Sequence, residues 1–127
     1  MKAKVDSREP KDLKSKAELE YGFEEDTMPQ ADFYLPEKDV AIERKEASDF
    51  ASSTTEGRLS KQADRMVAEH EHVYLIIEND IKNNGSDYEP YSLYNLPYSS
   101  ISDNSIIGMQ TSLAVKRGIK IIYTESI

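Results

Sequence analysis

The chain has 127 residues, with 16 Lys and Arg against 24 Asp and Glu for a net charge of −8, and no cysteine. That length supports one domain of about 100–150 residues around a single core. The missing cysteine excludes disulfides, Cys-ligated zinc, iron–sulfur clusters and thiol nucleophiles, and no apolar run approaches the roughly 18–20 residues that span a membrane.

Met1–Val5 is charged and leads into no apolar stretch of the secretory type, so the expected location is cytoplasmic with no membrane partner. The acidic balance argues against holding DNA in a bulk positive field, because phosphate binding draws on clustered Lys and Arg. Its distribution is uneven. Met66–Ser105 has one basic residue, Lys82, against seven acidic ones, whereas Ile106–Ile127 has Lys116, Arg117 and Lys120 against Glu125 alone. An anionic ligand must therefore meet local basic spots or a metal that supplies the positive charge.

In chain order, Ala3–Asp6 reads as a strand, and Pro10–Tyr21 as a helix opened by proline and ended by Gly22. Phe23–Met28 and Asp32–Leu35 read as extended, and Val40–Lys45 as a strand joined to the preceding one through Pro36-Glu37-Lys38-Asp39. A helix from Ala47 is expected to break near Ser52–Thr55 and Gly57, then resume over Arg58–His70. Val73–Glu78 is β-branched and apolar, the mark of a strand buried on both faces. Asn79–Ser102 is rich in Asn, Gly, Ser and Tyr and reads as a long loop of the kind that is usually functional. Ser102 caps a last helix that runs to about Arg117 and ends at Gly118, and Lys120–Thr124 is the final strand. Strands alternating with helices predict an α/β fold with a mixed sheet.

The chemistry concentrates in Asp32 and in Glu43-Arg44-Lys45. Side chains two apart on a strand share a face, so Glu43 and Lys45 project together and Arg44 points away. The hairpin brings Asp32 opposite them. Two carboxylates and a backbone carbonyl suit a hard cation such as Mg²⁺ or Mn²⁺, and a nearby ammonium can aim a water at phosphorus. Taken alone, Glu-x-Lys on a strand is more often a solvated face. Arg58, Gln62 and Arg65 fall at i, i+4 and i+7 with Lys61 beside them, a stripe that suits a DNA backbone and equally a plain solvated helix face. Tyr88, Tyr91, Tyr94 and Tyr98 could stack on unpaired bases or anchor an irregular loop. His70 and His72 fit a helix end better than a metal site, and Lys116, Arg117 and Lys120 fit the C-terminal charge of a helix.

Several segments match one family in order. Val5-Asp6-Ser7-Arg8-Glu9, Val40-Ala41-Ile42-Glu43-Arg44-Lys45-Glu46-Ala47-Ser48-Asp49-Phe50, Gly57–Met66, the strand ending at Glu78 and Arg117–Thr124 resemble the XPF-type (ERCC-type) nuclease domain, which also occurs in the archaeal Hef helicase-nuclease. The resemblance implies a restriction-endonuclease-like three-layer fold with a central mixed sheet, filling residues 1–127 as one domain. It implies a Mg²⁺- or Mn²⁺-dependent endonuclease that cuts branched, flap, fork or junction DNA, working in repair or recombination as a homodimer or heterodimer near the nucleoid. Asp32, Glu43 and the Arg44 carbonyl would ligate the metal, and Lys45 would be the general base or position the water. Arg44 would contact a phosphate or an acid, Asp6, Arg8 and Glu9 would line the site, and Asp49 would orient Arg or Lys side chains. Arg58 and Gln62 are favoured as DNA contacts. Ala31 stands where the family has glycine, and no helix-hairpin-helix module is expected. The alternatives are a catalytically weak or inactive DNA-binding scaffold subunit and a four-way-junction resolvase.

Overall fold

The computed structural model describes residues 2–28, 31–84, 87–94, 96 and 101–125. Its elements are β1 (Lys4–Asp6), α1 (Lys11–Tyr21), β2 (Glu24–Asp26), β3 (Phe33–Leu35), β4 (Val40–Glu46), α2 (Ala47–Glu56), α3 (Arg58–Glu69), β5 (His72–Glu78), β6 (Asp80–Asn84), β7 (Asp87–Tyr91), α4 (Asp103–Thr111) and β8 (Lys120–Thr124). Six strands form one sheet in the order β2-β1-β3-β4-β5-β8. β3 runs antiparallel to β1 and β4, while the β1–β2, β4–β5 and β5–β8 pairs are parallel. Helices flank this mixed sheet in the expected three-layer α/β arrangement.

Alternation along the central strands sets the core. Ala41 on β4 and Val73, Leu75 and Ile77 on β5 are buried with Phe50 of α2, Leu59, Ala63 and Met66 of α3, and Ile106 of α4. The other face of β5 is only half covered, since Tyr74 and Ile76 keep partial exposure. This corrects the expectation of a strand buried on both faces.

Several local expectations hold for identifiable reasons. α1 ends at Gly22, whose φ of 69° is the left-handed conformation that glycine adopts without strain. Ser102 caps α4 by accepting from the Ser105 amide at 3.1 Å. The β3–β4 connection is a 3-10 turn over Pro36–Lys38 closed by Asp39 at φ 52°. Asp39 accepts from the Tyr34 hydroxyl at 3.1 Å and the Glu71 amide at 2.9 Å, and its carboxylate meets His70 Nδ1 at 2.9 Å. His70, at the end of α3, thus pairs with Asp39 across the β3–β4 turn.

Three further expectations are corrected. α2 runs unbroken through Ser52–Thr55 and stops only at Gly57, with the Thr54 and Thr55 hydroxyls satisfied inside the helix by the Phe50 and Ala51 carbonyls at 2.8 and 3.1 Å. Asn79–Ser102 is not one loop: β6 and β7 pair in a separate two-stranded sheet, with Asn84 opposite Asp87. The last helix is α-helical only to Thr111 and continues as a π-helical turn over Ser112–Lys116. Tyr98 lies outside the described residues.

Candidate active site

β4 carries the site because it outruns its neighbour. The β3–β4 register ends at Phe33 opposite Ile42, while β4 continues beside β5 as far as Glu46 opposite Glu78. At that edge the Arg44 amide has no strand partner among the described residues and donates to Asp32 Oδ2 at 2.8 Å. Asp32 is held in turn by its own main chain, its amide donating to the Ile42 carbonyl at 2.9 Å and its carbonyl accepting from the Asp6 amide at 2.8 Å. Among the described residues Asp39 is the one non-glycine with positive φ. Ala31 therefore does not need the left-handed conformation that glycine favours.

Glu43 and Lys45 share a face of β4, with Lys45 Nζ 3.9 Å from Glu43 Oε1 and both side chains largely buried. The Glu43 and Asp32 carboxyls are close enough to hydrogen-bond, and burial, reinforced by the Asp32 charge, pushes Glu43 up to about 8 despite opposing help from Gln62 and Lys45. Burial also raises Asp32, with the Glu9 charge adding to it and the Arg44 amide working against it. Two buried carboxyls pressed together in this way cannot both ionise cheaply without a cation. Two carboxylate oxygens at a strand edge suit a hard divalent ion. The residues present thus fit one.

Arg44 points to the opposite face, as alternation predicts. Its Nε and Nη2 donate to the two Glu9 oxygens at 3.3 and 2.9 Å, and Nη1 donates to Glu78. Those carboxylates hold it fully charged, well above the ordinary range. Of its two expected partners, a phosphate or an acid, the structure places it against acids. Asp6 is 1% exposed and accepts from Arg8 Nε and the Met28 amide, both at 2.8 Å. Burial pushes the Asp6 carboxyl up, but these donors outweigh it and hold it below its ordinary value. Arg8 also donates to the Met28 carbonyl at 2.6 Å, and the charges of Asp32 and Glu43 reach it. Asp6, Arg8, Glu9, Asp32, Glu43, Arg44 and Lys45 are therefore gathered at one end of the sheet.

Asp49 lies exposed in the first turn of α2, and the Arg44 guanidinium is held by Glu9 and Glu78 instead. Arg58, Lys61 and Arg65 are exposed on α3, with Arg58 paired to Glu56. Gln62 faces inward, where its side chain hydrogen-bonds Glu43. Arg117 pairs with Asp64 at 2.7 Å, tying the end of the last helix to α3. Sequence reasoning missed Glu78, buried at 4% exposure. Its signal was an acid closing an otherwise apolar strand, opposite the motif strand.

The chain as a whole is similar to known proteins. A family model described as the ERCC4 domain matches residues 5–127. The chain is similar to XPF from Aeropyrum pernix in complex with DNA at 26% identity and a TM-score of 0.72, covering 98% of this chain and 56% of that one. It is similar to a second structure, XPF from Aeropyrum pernix, at 26% identity and a TM-score of 0.75, covering 99% and 54%. The chain thus spans just over half the length of these solved chains. No curated protein matches the sequence.

Proposed function

The chain belongs to the ERCC4-domain family, and from that premise we propose that it is a divalent-metal-dependent endonuclease that hydrolyses a phosphodiester in branched, flap, fork or junction DNA. The observation that carries the reading is the buried Asp32–Glu43 pair beside Lys45 at the open edge of β4. Asp32, Glu43 and the Arg44 carbonyl would hold Mg²⁺ or Mn²⁺. Such an ion, when bound, stabilises charge on the scissile phosphate and lowers the pKa of bound water.

The protein's own groups account for the remaining roles. Lys45, paired with Glu43, positions water and carries positive charge toward the phosphate. Arg8 adds a second positive group near the two acids. Arg58, Lys61 and Arg65 present an exposed basic row for backbone phosphates, and DNA as the partner is supported by the DNA complex of the similar Aeropyrum pernix protein. A scaffold subunit without activity is not favoured, because Asp32, Glu43 and Lys45 are all present and adjacent.

The test is cleavage of end-labelled flap, fork and four-way-junction DNA with Mg²⁺ or Mn²⁺, beside linear duplex and single strand. Metal-dependent, branch-selective cutting that Lys45→Ala abolishes supports the reading. Folded wild-type protein that cuts none of these substrates with either metal counts against it.

A further inference from the structure

Glu78 is a buried acid that the proposed chemistry does not use. It ends β5 two residues beyond Ile76, the register partner of Arg44, so Glu78 and Arg44 share a face of the sheet. Its carboxylate takes Arg44 Nη1, while Glu9, from the turn after β1, takes Nε and Nη2. All three guanidinium nitrogens are engaged, and the three side chains are 6–14% exposed. The ion triad joins the segment after β1 to β4 and β5, although β3 separates β1 from β4 in the sheet order.

The same residue serves the site through its main chain. The Arg44 amide donates to Asp32 Oδ2 at 2.8 Å, in the stretch of β4 where β3 supplies no ladder bond. With no strand on that side among the described residues, the Arg44 backbone takes its position from β5 and from the clamp on its own side chain. Bidentate carboxylate binding fixes a planar guanidinium in direction as well as distance.

We propose that Glu78 is a positioning residue: together with Glu9 it locks the Arg44 guanidinium, and through the Arg44 main chain it sets the Asp32 carboxylate against Glu43. The inference rests on the reading that Asp32 and Glu43 hold a divalent ion. Outer partners that orient metal ligands typically change metal affinity by about 10–100-fold when removed, and Glu78 acts here at one further remove. A merely structural triad would stabilise the fold and leave the affinity of the folded protein untouched.

The experiment uses the full chain as wild type, Glu78→Gln, Glu78→Ala and Asp39→Ala, the last a control for lost stability at the far end of β4. Mn²⁺ affinity is measured by calorimetry on folded protein, and hydrogen exchange of the Arg44 amide is followed by NMR. The expected result is an Mn²⁺ Kd raised about tenfold in Glu78→Gln, with faster exchange at Arg44, neither change appearing in Asp39→Ala. Glu78→Gln keeps an acceptor and the side-chain volume, so it decides the matter if Glu78→Ala fails to fold. Folded Glu78→Gln with wild-type Mn²⁺ affinity overturns the proposal, as does an equal loss in Asp39→Ala. Wild-type protein that binds no Mn²⁺ defeats the metal reading by itself. The Arg44 amide then decides the positioning claim, and unchanged exchange in Glu78→Gln overturns it.

Discussion

Two groups of buried acids lie around β4, and the protein treats them in opposite ways. Asp6, Glu9 and Glu78 each face a guanidinium: Arg8 for Asp6, Arg44 for the other two. The Asp6 carboxyl is accordingly held below its ordinary value. Asp32 and Glu43 face each other, offset by Lys45 at 3.9 Å from Glu43, by hydrogen bonds from an amide and Gln62, and by the charges of Arg8 and Arg44. Both are pushed up, Glu43 to about 8. Buried acids held by a guanidinium serve as scaffold, and two buried carboxyls that face each other form a pair suited to a positive partner.

Breaking that contrast on its reactive side has the largest expected effect. Lys45→Ala should lower cleavage by about 10²–10³-fold, the range for losing one group aimed at developing charge, with Asp32→Asn and Glu43→Gln at least as severe. Circular dichroism should show all three folded. A fold lost together with activity would place these residues in the scaffold.

On the scaffold side, Arg44→Ala leaves Glu9 and Glu78 buried without their cation and should cost about 3–5 kcal/mol in urea unfolding. Arg44→Lys should recover only part of this, because an ammonium cannot make the bidentate contact with Glu9. A loss below about 1 kcal/mol, the scale of an exposed pair, would show the triad to be solvated.

The contrast sharpens with pH. In metal-free protein Glu43 keeps its proton to about pH 8, whereas unfolded chain releases it near 4.5. The folded state therefore binds more protons across this window. Its contribution to stability is complete below about pH 4.5 and is lost as pH rises toward about 8. Glu43→Gln stays neutral, so its Tm should exceed that of wild type above pH 8 and the difference should vanish in acid. Thermal melts without divalent ions check this, and parallel curves would contradict the raised carboxyl.

The smallest effects belong to the exposed row. Arg58→Ala, Lys61→Ala and Arg65→Ala should each leave stability within about 0.5 kcal/mol. Each that meets a phosphate should lower the slope of log affinity against log salt for DNA by roughly 0.9. Gln62→Ala should differ from them, disturbing Glu43 more than DNA affinity.

Much of this was legible in the sequence because it is local. Period-two alternation placed Glu43 and Lys45 together and Arg44 opposite, and Gly22, Gly57 and Ser102 marked helix ends that the structure keeps. The β6–β7 hairpin was passed over because its residues lack apolar alternation, although Asn84-Gly85 carries the dipeptide that two-residue hairpin turns favour. Glu78 escaped because its partner stands 34 residues away, and an acid at a strand end ordinarily faces water. The inward turn of Gln62 depends on how α3 packs against α2 and β5, which helical spacing alone does not encode.

The contrast between the two groups of acids is tested most directly by titrating Mn²⁺ into wild type, Asp32→Asn and Glu43→Gln near pH 7 in buffers of different ionisation enthalpy. The account predicts that wild type binds one ion and releases about one proton from the Asp32–Glu43 pair. Binding should weaken sharply in both variants, and proton release should vanish in Glu43→Gln. Binding that is equal in all three proteins, or that releases no proton from wild type, would contradict it.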